Sequence, residues 1–485
     1  MIGDDIITIN RRGEVKRLIP KGFILYASET GARLNANVHT GGGDDDTEIL
    51  QAALDKALEW GHLHLILDGA ARVRGLKIHS NTIIECPDAD CGLFMSDDIP
   101  GPVLRTAHYS LRGGERTQRN IALIGGTYNH NNAHHRHRAA VTEEYADWHS
   151  VVLHAHPGYE RPNIAIELTC IENVTIRDIA IQDNSAWAML VCNFKNVNIE
   201  NVHLDLRNHY PSHNQDGLHF WGPGRFLNIR NVYGRSGDDF IALAPDEHDG
   251  VSDITDVLID GLALERADQC VRMLSREKGR LDRVTVRNCY GECTSMGFYI
   301  NYWFADSKNH GNYGSLYFEN IDLRTCKNSY SPAFLFRIGA NVDSIVCRNI
   351  AHRAPYDARP LFDLGYYSHN DIQPDVQPHV RYMLVDGLCV QEHGGDLKDA
   401  SFINVDGAVD NLVIRNADVM RNEDAAAQGT FIQMHERGHI GRLEMDNVRI
   451  ERMEAILDRR EGAIDALEMR NVRGSGVTNE ILTND

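Results

Sequence analysis

Residues 174–202, VTIRDIAIQDNSAWAMLVCNFKNVNIENV, carry one six-residue pattern twice: apolar, any, apolar, any, a turn-former, apolar, from Val174 and again from Val197. Alternating apolar residues mark a strand with one buried face. The fifth position is Asp178 in the first copy and Asn201 in the second, residue types that tolerate a left-handed backbone and so a sharp corner. The pattern recurs from Leu227 (LNIRNV), Val257 (VLIDGL), Val284 (VTVRNC), Leu316 (LYFENI), Ile345 (IVCRNI), Met383 (MLVDGL), Leu412 (LVIRNA), Leu443 (LEMDNV) and Leu467 (LEMRNV), in steps of 23 to 38 residues. Its fifth position is always Asn, Asp or Gly. A strand, an obligatory corner and another strand, repeated once per turn, is what an all-β, single-stranded, right-handed parallel β-helix requires. Helical repeats would show apolar residues at three and four spacing, and a propeller would show antiparallel hairpin signals.

A second strand recurs between these corners, as in DGLHFWG, DFIALAP, MGFYINY and TFIQMHE. Aligning first buried positions predicts one column through Leu218, Ile241, Val271, Phe298, Phe334, Leu361, Phe402, Phe431 and Ile456. Side chains alternate faces, so residues one and three places later are expected outward, forming a groove. That row holds His219, Trp221, Arg272, Tyr299, Asn301 and Arg337.

The 485 residues and 54.5 kDa exceed one compact core but suit an elongated repeat. A formal charge of -20 disfavours nucleic acid and anionic membranes as partners, and no run of eighteen apolar residues offers a membrane span. The ten cysteines sit mostly among apolar neighbours and read as reduced core thiols, and the Cys86–Cys91 spacing lacks a second pair for zinc. The first residues, MIGDDIITINRRGEVKRL, do not read as a secretory signal, so a cytoplasmic address is expected unless a leader was removed. Oligomeric state is not legible.

Residues 1–75 read as an N-terminal segment with a capping helix, and residues 76–485 as the β-helix with loop insertions near 128–160, 305–314 and 365–380. The helix signal is GGGDDDTEILQAALDKALEW, with Asp46 or Thr47 as N-cap and an apolar face of Ile49, Leu50, Ala53, Leu54, Ala57 and Leu58. Such a helix lids the exposed core at a solenoid end. The His-rich stretch 130–150 reads as a long loop beside the groove, its histidines solvated or facing substrate rather than binding metal.

The chemistry concentrates in two adjacent turns. Asp216 lies in HNQDGLHF, and Asp238 and Asp239 follow one turn later in SGDDFIAL. Asp216 and Asp239 both stand two residues before their buried columns, so the three carboxylates are expected to cluster. Like charges brought together raise at least one pKa, which gives the protonated and ionised pair that glycoside hydrolysis needs. Alternatively, an Asp beside a Gly is a common corner, satisfied by backbone amides.

With these motifs in place, RPNIAIELTCIENVTIRDIAIQDNSAWAMLVCNFKNVNIENV, NQDG and SGDDFIAL resemble the polygalacturonase family, glycoside hydrolase family 28, of the pectate-lyase-like β-helices, over residues 120–290. The resemblance implies inverting hydrolysis with Asp238 as general acid, Asp216 and Asp239 as bases, and Asn214 in the family's NTDG position. It also implies departures. The family's GHG falls on a DQC segment, with Gln269 in place of His, and its RIK falls on Tyr299, Ile300 and Asn301. Plain polygalacturonate is therefore a poor fit, although Arg272 and Arg337 could supply a relocated carboxylate site or form surface salt bridges. Tyr299 and Trp221 could stack on a sugar ring or pack internally. His219 stands where the family often has a second Asp, and His154, His156, His209 and His213 lie on segments expected near the cleft.

The expected function is a metal-independent, cofactor-free, inverting glycoside hydrolase, exo-acting on oligosaccharides from a plant or microbial polysaccharide, pectin-related or more neutral. A polysaccharide lyase or epimerase on the same fold is a second reading, disfavoured because that chemistry calls for a Lys, Arg or His base and often calcium. A non-catalytic glycan-binding β-helix is a third.

Overall fold

The structure, a computed structural model, describes residues 7–9, 15–17, 24–148, 160–211, 213–302, 311–326, 333–354, 361–365, 378–392, 401–421 and 426–484. It divides into two compact units, Met1–Ile259 and Asp260–Asp485, each made of parallel strands wound as a right-handed β-helix. In the first, strands Ile166–Arg177, Met189–Asp205 and Leu218–Arg235 pair in the register Val174↔Val197↔Leu227. In the second, Val284↔Leu316↔Ile345↔Met383↔Leu412↔Leu443↔Leu467 pair in succession. Within each of these series the first residue of the six-residue pattern thus stacks on its counterpart, and Val174, Val197 and Leu227 are fully buried.

All eleven fifth-position residues adopt left-handed backbone, with φ between 51° and 88°. A non-glycine residue there costs roughly 1–2 kcal/mol. Asparagine offsets part of that cost by passing hydrogen bonds from turn to turn. In the first unit the Asn231 amide donates to Asn201 at 3.2 Å and Asn201 donates to Asp178 at 2.8 Å. In the second, Asn349 donates to Asn320 at 3.1 Å and Asn320 to Asn288 at 3.0 Å.

Helix Thr47–Trp60 packs on strands Leu63–Ile66 and Leu76–Ile78 and buries Leu50, Ala53, Leu54 and Ala57. Ile49 and Leu58, expected on that face, are exposed. Asp46 is the N-cap residue by position, but its carboxylate accepts from the Arg33 and Leu34 amides at 2.7 and 2.9 Å. The first-turn amide of Thr47 is instead satisfied by Asp45 Oδ1 at 3.0 Å. All ten cysteines are free thiols, eight of them buried.

The second-strand column holds at Leu218↔Ile241. It shifts by two at Phe298, which pairs with Phe336 rather than Phe334, leaving the same face inward. Beyond that, the true column is Phe362, Ile403, Ile432 and Leu457, one residue after each expected position. A one-residue slip exchanges the faces. The segments there carry adjacent apolar pairs, such as Phe402–Ile403 and Phe431–Ile432, all buried, so alternation alone does not specify which member points inward.

The described part of the His-rich stretch carries local structure. Arg138–Ala140 pairs antiparallel with Glu160–Pro162, and short helical turns form at Asn132–His134 and Glu143–Tyr145. His130 is fully buried, donating from Nε2 to the Gly101 carbonyl at 2.9 Å and accepting the Ser185 amide on Nδ1 at 3.2 Å. Residues 149–159, with His154 and His156, lie outside the described residues, as do 303–310 and 366–377 within the expected loop insertions.

Candidate active site

The structure brings Asp216, Asp238 and Asp239 together: each offers a carboxylate oxygen, and these oxygens lie within 4.8 Å of one another. The cause is rung stacking. The Gly217 amide donates to the Asp239 carbonyl at 2.8 Å, and the Gly237 amide donates to the Gln215 carbonyl at 2.8 Å. The two carboxylate-bearing segments are thereby pinned side by side. Asp216 and Asp239 are buried, at 1% and 4% exposure, while Asp238 is partly exposed. Asp238 is therefore the member of the cluster with an open approach.

Asp216 is held on both oxygens. The exposed Asn214, itself left-handed at φ 52°, donates from Nδ2 to Oδ1 at 3.2 Å, and His219 Nδ1 stands 2.7 Å from Oδ2. The other ring nitrogen of His219 lies 3.1 Å from Glu247 Oε2, which also accepts from Trp221 Nε1 at 2.9 Å. Burial drives the His219 pKa down, but hydrogen bonds to Asp216 and Glu247, with their charges, overcome it and lift it to about 9.

Trp221 is not on an open groove face: it is 1% exposed, with its ring stacked on His248 at 5.2 Å. Trp187 stacks on His219 at 3.8 Å with the planes 11° apart, and Trp148 packs beside both indoles. Trp187 is buried at 5% exposure, and its indole N–H has no acceptor among the described residues. His209 lies against the turn that carries Asp238, where a Cβ on Gly237 would come 2.6 Å from its Nδ1. His213 stacks between His137 and Tyr210.

Gln269, Arg272, Tyr299, Asn301 and Arg337 belong to the second unit and are mostly buried there. The Arg272 guanidinium lies 4.9 Å from the centre of the Tyr299 ring, and Tyr299 pairs in register with Arg337. Arg337 Nε stands 3.4 Å from Asp363, whose pKa is pushed up by burial despite that neighbour. Asn301 donates to the Tyr302 carbonyl at 3.0 Å.

Glu247, Trp187, Trp148 and His248 were not singled out from sequence. Trp187 carried a usable signal: it precedes Met189 by two residues, as Asp216 precedes Leu218 and Asp239 precedes Ile241, and these three column positions are paired in register. Glu247 lies in the turn after strand Asp239–Ala244, outside any period.

Residues 146–327 match the family model of glycosyl hydrolases family 28. No curated protein matches the chain. Among solved structures, the pre-mature bacteriophage phi29 gene product 12 is similar at 13% identity and a TM-score of 0.55, covering 93% of this chain and 57% of that one. A tailspike protein double mutant of E. coli bacteriophage HK620 is similar at 10% identity and a TM-score of 0.51, covering 96% and 83%. A hyperthermoactive exopolygalacturonase from Thermotoga maritima is similar at 14% identity and a TM-score of 0.48, covering 94% and 93%. The resemblance read from the motifs is thus a match to glycosyl hydrolases family 28 over residues 146–327, the segment that contains all three clustered carboxylates.

Proposed function

We propose that the protein is an inverting glycoside hydrolase acting from chain ends on oligosaccharides of a plant or microbial polysaccharide, pectin-related or more neutral. The observation that carries this reading is the convergence of Asp216, Asp238 and Asp239 within a glycosyl hydrolases family 28 segment. Asp238, the partly exposed member, gives its proton to the glycosidic oxygen as the bond to the anomeric carbon breaks. Asp216 and Asp239 take a proton from the water that attacks that carbon from the opposite face. Asn214 and His219 hold Asp216 in the ionised form that this role needs.

Inversion calls for a carboxyl separation of about 6.5–9.5 Å and retention for about 5–5.5 Å. The facing oxygens lie no more than 4.8 Å apart, an upper limit on their closest approach rather than a measure of the spacing between carboxyl groups. The anomer released first therefore decides between direct displacement and a covalent intermediate. Proton NMR of the first turnover on pectic oligosaccharides and aryl glycosides is expected to show the inverted sugar; a retained configuration sinks the mechanism. Unsaturated uronate absorbance in the products would replace the hydrolase reading with a lyase.

A further inference from the structure

His219 links Asp216 of the first unit's carboxylate cluster to a further acid, Glu247. Its two ring nitrogens each face a carboxylate, Asp216 at 2.7 Å and Glu247 at 3.1 Å. A neutral imidazole has one N–H, so only the imidazolium donates to both. The ring is 4% exposed, with Trp187 stacked on its face and Trp221 edge-on at 5.9 Å. The charged groups set against it are Asp216, from the turn that enters its own strand, and Glu247, from the turn after strand Asp239–Ala244. In register beside it on the neighbouring strands stand Leu190 and Ala242, and beyond Trp221 stands His248 with Asp249 at 3.6 Å. Glu247 is tied down independently by the Trp221 indole N–H at 2.9 Å.

A buried ion cluster of this kind is poor evidence of stabilisation, because well-packed apolar side chains would serve as well. Its chemistry is more informative. Glu247 supplies the acceptor that makes a second N–H on His219 worth keeping, and the charge so held lies against the Asp216 oxygen. Burial alone would favour the neutral ring.

We infer that Glu247 is a positioning residue: through His219 it keeps Asp216 charged and aimed at the carboxylates of the next rung. The inference rests on the hydrolase reading for its catalytic consequence, but not for the state of His219. Removing the charge of Glu247 leaves His219 able to donate once, to Asp216, as a neutral imidazole. Asp216 then loses its cationic partner while keeping its hydrogen bond.

The test is Glu247→Gln in the full chain, with Glu247→Asp as the conservative variant. Imidazole NMR, assigned against His219→Gln, is expected to show His219 titrating near pH 9 in the parent protein and at least one unit lower in Glu247→Gln. On a cleaved substrate, kcat is expected to fall about 10- to 100-fold with KM within about twofold, and the alkaline limb of the rate profile to move toward neutral pH. Glu247→Asp is expected to recover part of both. Adding Glu247→Gln to Asp216→Asn is expected to cost little more than Asp216→Asn alone, since the effect runs through Asp216. An unmoved His219 titration in a folded Glu247→Gln protein, or fully additive losses with Asp216→Asn, overturns the inference. If the parent protein cleaves nothing, the hydrolase reading fails while the NMR titration still decides whether Glu247 holds the charge on His219; should Glu247→Gln not fold, Glu247→Asp carries the titration.

Discussion

The Gly217 amide donates to the Asp239 carbonyl at 2.8 Å, so the residue after one carboxylate is bonded to the residue bearing another. Gly217 is not required here for a left-handed turn, since its φ is not positive. It is required for proximity: a Cβ would come 2.3 Å from the Phe240 carbonyl oxygen and 2.5 Å from Leu204 Cδ1. The DG motif is therefore a device that lets two rungs approach closely enough for their carboxylates to meet.

Gly217→Ala is expected to force those rungs apart. The overpacking cost is about 1–3 kcal/mol in urea denaturation, and kcat is expected to fall more than tenfold, because the carboxylate geometry is displaced together with the backbone. Full activity in a destabilised variant would show that the two rungs tolerate separation.

Asp238→Asn removes the carboxyl group proposed as proton donor but preserves shape. The expected loss in kcat is about 10²- to 10⁴-fold with KM little changed. Steady-state kinetics on whichever glycoside is cleaved measures it, and unchanged turnover would turn the cluster into a binding feature, as in a non-catalytic glycan-binding β-helix.

Stability is expected to pass through a maximum with pH. The folded pKa of His219, about 9, is raised above its ordinary value of 6.5, so its contribution is fully present below pH 6.5 and is lost as pH rises through 9. The amount is on the order of 3 kcal/mol. His130 and His352 act in the opposite sense: burial takes them down to about 3 and about 4, so their contributions are present above pH 6.5 and are lost as pH falls through those values. Thermal melts between pH 4 and 10 check this, and His219→Gln is expected to flatten the alkaline side alone.

Asn231 tests the corners. Replacing it with Ala keeps the left-handed strain and deletes the amide that donates to Asn201, so a loss of about 1–2 kcal/mol is expected, and less for Asn231→Gly, which relieves the strain. Urea titration of both variants gives the comparison. An Ala variant no weaker than the Gly variant would mean that the corner does not depend on backbone handedness.

The corners were legible because each turn must spend one residue on a left-handed backbone, and few side chains accept it. The stacking of Asp216 on Asp239 was legible for a related reason, since Leu218 and Ile241 fix a register that carries their neighbours with them. The later second strands were not, because Phe402–Ile403 and Phe431–Ile432 offer apolar residues to both faces. Trp221 was placed outward by alternation, which cannot foresee that Glu247 takes its indole N–H and that His248 stacks on its ring. Glu247 itself lies on a turn, where no period constrains it, and only the fold reveals which strand that turn returns to.

The left-handed corner also separates two kinds of change that evolution could make. Because Asn231 and its counterparts anchor each coil at a single residue, the chain between anchors can lengthen or shorten without shifting the next coil out of alignment. Steps of 23 to 38 residues already coexist in this one chain. Connecting segments can thus be exchanged while the clustered carboxylates keep their places, and on the proposed function this lets substrate preference be rewritten, a division of labour that makes the scaffold a natural host for grafting.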